Sequence, residues 1–517
     1  MEVKEELNKA FQKTFTLIFG ECNVTLDELK DYMLRDYYPV VRRRSALSGK
    51  EVIVSTENYP KDAKFLAQGE IDFSKEFKLN INELKDLDSV IEALSDRFYY
   101  AGSKSFGNSS FIEGSDNCTD SFYVLDSHNV LRSKYVAYSS YIRDNCEYIF
   151  GSSLFLRCKH LIRVSGADNL VRSFESEFAV NSSDLFFSTS CVGSSHIMFS
   201  ANQISKHHVI GNLELQKDKY FELRKKLIDE SREYIEKNKR FYSLFEFPPP
   251  NKLTLPKINV PKKSKAPTDF RKIDEAFKTT CKLIFGREIG SLKNYEKLLE
   301  KRVTKIRTIK TAFGNETPFA PLYYWRHVPK ERAVNAEEAL ELAKEHILLE
   351  EGEELSLKKL MEKLARIFFF RVHYYEGNNE NNIETPCAYT GVNSYRVFDM
   401  TYSKNGAYCN HPSHCEYIFG CSKITYSKFC INCHDSVNLS SCFEMDGCTN
   451  CSNSLFCHNC EGLTDCLFCF NTKSKRYAVG NVEVGKEKYE KIKKLVLDEL
   501  ANKLQKNGEL DFDIYEL

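Results

Sequence analysis

The sequence predicts a mixed α and β protein in which a parallel β-solenoid is duplicated in tandem and capped by helices. Three observations lead there. Distant segments of the chain repeat each other, cysteines recur at a fixed short step, and helical apolar spacing flanks the repetitive stretches.

The duplication comes first because it sets the domain plan. Leu7, Ala10, Phe11, Thr14 and Leu17-Ile18-Phe19-Gly20 return as Ile273, Ala276, Phe277, Thr280 and Leu283-Ile284-Phe285-Gly286, an offset of 266. Cys146-Glu-Tyr-Ile-Phe-Gly151 returns as Cys415-Glu-Tyr-Ile-Phe-Gly420, and Gly211-Asn212 as Gly480-Asn481, both at offset 269. Each unit therefore reads as a helical head, a repetitive middle and a helical tail. The expected boundaries are a head at 1–104, a solenoid at 105–215 and a tail helix at 216–245, then a Pro/Lys-rich linker at 246–269. The second unit follows with a head at 270–384, a solenoid at 385–484, and a tail helix with an acidic C-terminus at 485–517. Tyr220, Leu223, Leu227 and Tyr489, Ile492, Val496 carry the i, i+3, i+7 spacing of amphipathic tail helices. The linker, with Pro248, Pro249, Pro250, Pro256, Pro261 and Pro267 among its lysines, has the composition of an extended tether.

The middles carry the second observation. Of 19 cysteines, 13 lie between Cys387 and Cys469. Ten of them fall on two series of step nine, one through Cys421, Cys430, Cys448, Cys457 and Cys466, the other through Cys433, Cys442, Cys451, Cys460 and Cys469. A nonapeptide period belongs to parallel β-solenoids, where one position recurs up an internal ladder, and two nines suggest a coil of about 18 residues. Cys and Ser suit a narrow interior. Asn before Cys, at Asn117, Asn145, Asn432, Asn450 and Asn459, suits corners that need left-handed backbone. Phe429, Phe443, Phe456 and Phe468 are expected between coils or beneath the flanking helices.

These signals resemble the uncharacterised cysteine-rich, Asn-Cys-repeat proteins of ultra-small bacteria and archaea. The resemblance rests on the Cys146–Gly151 hexapeptide and its copy, the Asn-Cys steps, and the closing Gly462-Leu-Thr-Asp-Cys466-Leu-Phe-Cys469-Phe-Asn471-Thr-Lys473. It covers about 105–225 and 385–495. It stops upstream, where the family's N-terminal zinc ribbons have no counterpart beyond Cys22 and Cys281. The family implies a fold and no activity.

Composition limits the function. Lys+Arg and Asp+Glu both total 73, so no global field draws the chain to nucleic acid or an anionic membrane. Met1 to Phe11 has five charged residues and no apolar core of a leader, so the expectation is a cytoplasmic, intracellular protein with reduced thiols and no membrane partner. No P-loop, dinucleotide-binding glycine pattern, G-x-S-x-G elbow or H-E-x-x-H helix occurs. The reading is thus a non-enzyme: a scaffold for protein–protein interaction or self-assembly, without catalytic residues or cofactor.

Two alternatives remain open. Cys448, Cys451, Cys466 and Cys469, taken as one coil apart, would supply the four thiolates of a zinc or iron–sulfur site. Their equivalents in the first unit are Ala179, Ser182, Ile197 and Ser200, residues that suit a packed interior, and core packing is preferred on that ground. Nucleic-acid contact would use Arg42, Arg43 and Arg44 with linker Lys252, Lys257, Lys262, Lys263 and Lys265, where cations concentrate; a basic stretch from Lys301 to Lys310 follows the second head. His411, His414, His434 and His458 are expected in surface loops, and only Cys415 with His411 or His414 has ligand-like proximity.

Overall fold

In the computed structural model, residues 2–35, 40–75, 77–246, 255–260, 267–350 and 353–517 are described. The chain is mixed α and β with mostly parallel strands. A 13-stranded sheet runs through 105–214, and a ten-stranded sheet with a three-stranded companion occupies 374–483. The linker lysines Lys252, Lys262, Lys263 and Lys265 lie outside the described residues; Lys257 is exposed on a short described piece.

The register corrects the expected period. Lys134 pairs with Phe122 and Ser140 with His128 in the first sheet. Lys428 pairs with Ser440 and Cys430 with Cys442 in the second. The step from strand to stacked strand is twelve residues in each of these pairs, not eighteen. Asn145 makes one step of thirteen, with Lys134 on Glu147 and Ser140 on Ser153.

The unit within the coil is a triplet. Cys118, Ser121, Val124, Ser127 and Val130 are all fully buried, as are Cys421, Ile424, Ser427, Cys430 and Cys433. The residue before each inward position turns the chain through the left-handed region: Asn117, Asp120, Tyr123, Asp126 and Asn129 have φ between 43° and 56°. Four triplets make twelve residues. Nine is three triplets, so every multiple of three produces a cysteine recurrence, and the longer ladder step is hidden beneath it. Cys448, Cys457 and Cys466 therefore sit at different positions of the twelve-residue repeat.

Asn in the Asn-Cys steps takes the corner role expected of it. Asn117, Asn432, Asn450 and Asn459 have φ from 50° to 56°, a conformation that Asn tolerates better than most residues.

Thiol and hydroxyl are interchangeable inside for a geometric reason. Ser121 Oγ donates to the carbonyls of Thr119 (2.8 Å) and Val130 (3.2 Å) and accepts from Ser133 N (3.2 Å). Cys421 Sγ reaches the carbonyls of Phe419 (3.4 Å) and Cys430 (3.6 Å) and accepts from Cys433 N (3.5 Å). Both side chains contact residues two before, nine after and twelve after. Buried backbone groups that a corner leaves open thus find a partner.

The heads are less helical than expected. Each opens with a helix, Glu2–Phe19 or Phe270–Phe285. Each then forms an antiparallel hairpin, Val41–Arg44 with Glu51–Val54 or Arg307–Lys310 with Glu316–Phe319. The alternating Val41-Arg-Arg-Arg44 run is a strand, where sequence analysis saw only charge. The tail helices, Lys217–Asn238 and Lys486–Asn507, lie where the spacing put them.

The two halves exchange their arms. One hydrophobic core joins Phe11 of the first head helix, Phe150 and Phe186 of the first sheet and Leu227 of its tail helix to Trp325, Leu360 and Phe368 of the second head. The other joins Phe277, Phe419, Phe443 and Leu500 of the second unit to Val54, Tyr59, Leu94 and Tyr100 of the first head. Residues 40–75 and 77–102 thus cover the second sheet, and 306–350 and 353–374 cover the first.

Hydrogen bonds repeat the exchange at matching places. Asn202 Nδ2 donates to Phe369 O at 3.2 Å, and its copy Asn471 donates to Tyr99 O at 2.6 Å. Gly211 O accepts from Ile347 N (3.0 Å), while Gly480 O accepts from the Arg97 guanidinium (2.6 Å).

Candidate functional site at the junction of the halves

The densest group of ionisable side chains lies where the first arm, the second sheet and the C-terminal tail meet. The sheet supplies an outward column at the twelve-residue step. Asn410, Ser422 and His434 follow one another by bridge pairing, and His434, Asp446 and His458 by strand register. The arm contributes Tyr59 and Lys104, the start of the first sheet Asp116, and the tail Tyr515.

Asp446 is the hub. Its carboxylate accepts from Tyr59 OH at 2.5 Å, Tyr515 OH at 3.1 Å and His458 Nδ1 at 2.8 Å. His458 Nε2 accepts from Ala101 N at 2.7 Å, which places the ring proton on Nδ1. Asp116 takes Lys104 Nζ (3.0 Å), Lys104 N (2.8 Å) and Ser55 N (2.9 Å).

Electrostatics follow from burial and these partners. Burial would raise the Asp446 carboxyl, but the His458 hydrogen bond, the Lys104 charge and Tyr59 outweigh it and hold it well below the carboxylate range. Burial lowers His458, so the ring is neutral despite Asp446. Burial also pulls Lys104 down, and Asp116 with Asp446 reverses this, leaving it charged. Tyr59 and Tyr515 are raised by burial.

Chemically this is a saturated cluster. Asp446 holds three donors, and His458 uses both nitrogens on protein groups. Such a dyad ties segments together rather than offering a base to a substrate.

Two related carboxyls, Glu444 and Glu177, are less well compensated. Glu175 and Glu444 stand at copied positions. Glu175 pairs with Arg163 (3.1 Å) and accepts from Leu244 N (3.2 Å). Glu444 has Asn432 (2.7 Å) in place of the arginine, and Ile514 N (3.1 Å). Burial, aided by the charge of Asp513, pushes Glu444 up to about 8. Glu177, the copy of Asp446, has no histidine partner because Thr189 stands where His458 does, and burial pushes it up to about 7 despite Thr189 and Trp325.

The sequence-predicted sites are placed as follows. Cys448, Cys451, Cys466 and Cys469 are all buried, at 0–1% exposure. The twelve-residue step puts Cys460 above Cys448 and Ala478 above Cys466, so the four do not form two stacked pairs one coil apart. Their sulfurs turn to main-chain carbonyls, Cys448 Sγ to Asp446 O (3.4 Å) and Cys451 Sγ to Thr449 O (3.4 Å). Burial pushes the neighbouring thiols Cys457 and Cys460 up to about 11 and about 12. Among the described residues no group of three or more His, Cys, Asp or Glu side chains is arranged to hold a metal ion.

Three of the four histidines correct the surface-loop expectation: His411, His434 and His458 are buried at 3%, 2% and 0% exposure, while His414 is exposed as expected. His414 stacks between Tyr402 and Tyr426 (5.1 and 4.9 Å). Cys415 points inward to Ser413 O and Ile424 O, away from a His–Cys pair.

Of the basic residues, Arg42 pairs with Glu51 and lies 3.7 Å from Asp126, and Arg44 donates to Gly49 O at 3.0 Å. Lys301 and Arg302 bind Asp513 and Glu516, anchoring the acidic tail. No described helix is long and apolar enough to cross a membrane.

The junction was not read from the sequence. Its signal is a polar column recurring every twelve residues, visible only once the coil length is known. No protein family, curated protein or solved structure matches the chain.

Proposed function

We propose that the protein is a non-catalytic scaffold: two related parallel β-solenoids, duplicated in tandem, capped by helices and locked into one body for protein–protein interaction or self-assembly in the cytoplasm. The observation that carries this reading is the Asp446 cluster. Its ionisable groups are spent on joining the first arm, the second sheet and the tail, with both nitrogens of His458 engaged. The interior thiols support the same reading, since they bond to carbonyls as the serines of the first unit do. Kinship with the Asn-Cys-repeat proteins, carried by the Asn-Cys corners, is part of the proposal.

The experiment is isolation of the full chain from its native cell under mild crosslinking, with and without nuclease, followed by mass and metal analysis. A protein partner or self-assembly at fixed stoichiometry that survives nuclease supports the scaffold. Loss of all association on nuclease treatment favours nucleic-acid contact through Arg42–Arg44 and the linker lysines. Stoichiometric zinc or iron favours a cysteine-bound metal.

A further inference from the structure

Below Asp446 the same polar column changes character. Asn410, Ser422 and His434 line a cavity of about 70 Å³, closed by Thr56 of the first arm, Arg302 and Thr304 of the second head, and Tyr515 of the tail, with Lys423 and Asp435 beside them. Where Asp446 is saturated, His434 is not. Its ring is 2% exposed, and neither nitrogen has a hydrogen-bond partner. Asn410, 4% exposed, has its side-chain oxygen in the same condition. Buried polar groups left without a partner are costly, so two of them on one small wall point to something that the wall receives.

We propose that this cavity binds a small oxyanion of the sulfate, phosphate or carboxylate class, taken up together with a proton on His434. Three features select that chemistry. The first is size: one water needs roughly 10–15 Å³, so a cavity of about 70 Å³ has room for a group of several heavy atoms such as a small oxyanion.

The second is hydrogen bonding. A protonated His434 presents two N–H donors, Asn410 can turn its amide NH₂ inward, and Ser422, Thr56 and Thr304 are further hydroxyl-bearing residues of the lining.

The third is charge. Lys423 stands 3.6 Å from Asp435, while Arg302 and Lys301 are matched by Asp513 and Glu516. Asp446 is held by His458, with Lys104 nearby. The surroundings are thus near balance; a monoanion entering with one proton preserves it, and a dianion such as sulfate adds one negative charge beside Lys423 and Arg302. Burial wins at His434 and holds the ring below the usual imidazole range, while Asp446, Asp435 and Asp513 favour the charged form. An anion at the ring tips that contest toward protonation.

The site exists only when arm, head, sheet and tail are together, so its ligand also stabilises the joined halves by linkage.

The test is calorimetric titration of the full chain with inorganic sulfate, which does not itself titrate near neutrality, at about pH 6 and about pH 8. Acetate in a parallel arm separates tetrahedral from carboxylate preference. The expected result is saturable one-to-one binding, tighter at the lower pH and accompanied by proton uptake. Binding should weaken by roughly tenfold or more, the worth of one good hydrogen bond, in both His434→Gln and Lys423→Met. His434→Gln keeps the shape of the wall, and its far-UV spectrum checks folding. An absence of saturable heat at both pH values would overturn the proposal. So would equal binding by both variants, which places the anion elsewhere, or an equal response to chloride, which marks a general salt effect.

Discussion

Tyr59 donates a hydrogen bond to Asp446 at 2.5 Å across 387 residues of chain. The tyrosine belongs to the arm of the first unit and the aspartate to the sheet of the second, so one bond measures the contact between halves. Tyr59→Phe removes a donor from a buried carboxylate and is expected to destabilise the fold by about 1.5–3 kcal/mol, the usual value for hydrogen bonds to charged groups. Asp446→Asn leaves both tyrosines in place and weakens all three bonds. Denaturant unfolding of the two single variants and the double variant should show coupling; strict additivity would mean that the bond carries nothing.

Stability should fall as the solution becomes alkaline. The folded-state pKa of Glu177 is raised from 4.5 to about 7 and that of Glu444 to about 8. The folded chain therefore holds protons that the unfolded chain releases. This contribution is complete below about pH 4.5 and is lost as the pH rises through about 7 and about 8. For Glu177 the amount is roughly 3 kcal/mol, at 1.36 kcal/mol for each pH unit. Thermal unfolding across this window should show a falling Tm, and Glu177→Gln should flatten the curve. Asp446 works in the opposite sense, since its pKa is depressed, and its contribution is lost only as the medium becomes strongly acidic.

Cysteine in the ladder should yield to serine at little cost. Cys451 Sγ contacts Thr449 O at 3.4 Å and Cys460 O at 3.8 Å. Ser182, its copy, makes the same two contacts, to Val180 O at 2.9 Å and Cys191 O at 3.4 Å. Cys451→Ser is expected to change stability by less than about 1 kcal/mol. Cys451→Leu should cost about 1–3 kcal/mol, because the position has no room for extra methylenes. A severe Cys451→Ser defect, measured in reductant by chemical denaturation, would show that sulfur does more there than fill space.

Two glycines mark where the exchanged arms approach most closely. A Cβ on Gly480 would stand 2.1 Å from Leu94 of the first arm, and one on Gly211 would stand 2.5 Å from Ile347 of the second. Both have φ near 55–60°. Alanine at either site adds the left-handed penalty of about 1–2 kcal/mol to the displacement of an arm. Gly49→Ala is the control, since its φ is 70° and nothing lies within 4 Å. Gly480→Ala and Gly211→Ala should each lose clearly more stability than Gly49→Ala by thermal denaturation; three equal losses would remove the close approach from the account.

What the sequence disclosed and what it hid have a common physical origin. Local rules were legible: Asn117 and Asn432 turn corners because the left-handed conformation is a property of one residue, and the helices Lys217–Asn238 and Lys486–Asn507 follow from their own apolar spacing. The ladder step was not legible, because Cys421, Cys430 and Cys433 obey a triplet rule that fits nine and twelve equally. Pairing of Cys430 with Cys442 is a relation between coils, and only the register reveals it. Arm exchange lay further still from view. Leu94 and Tyr100 have patterns that would suit either sheet, and they pack on the second, where Tyr59 meets Asp446. His434 and His458 read as surface residues because polarity in sequence says nothing of the tail that covers them.

The central claim is that the two halves are one body held by reciprocal arms, and cutting the chain between them tests it most directly. A protease site placed within 261–266 allows the folded protein to be cleaved and then diluted. The only tryptophan, Trp325, reports on the outcome, because it sits in the second arm, fully buried, 6.1 Å from Phe178 of the first sheet. Cleaved protein is expected to elute as a single species of uncut size with unchanged tryptophan emission. Separation into two half-sized species, each stably folded and with the emission unaltered, would contradict it.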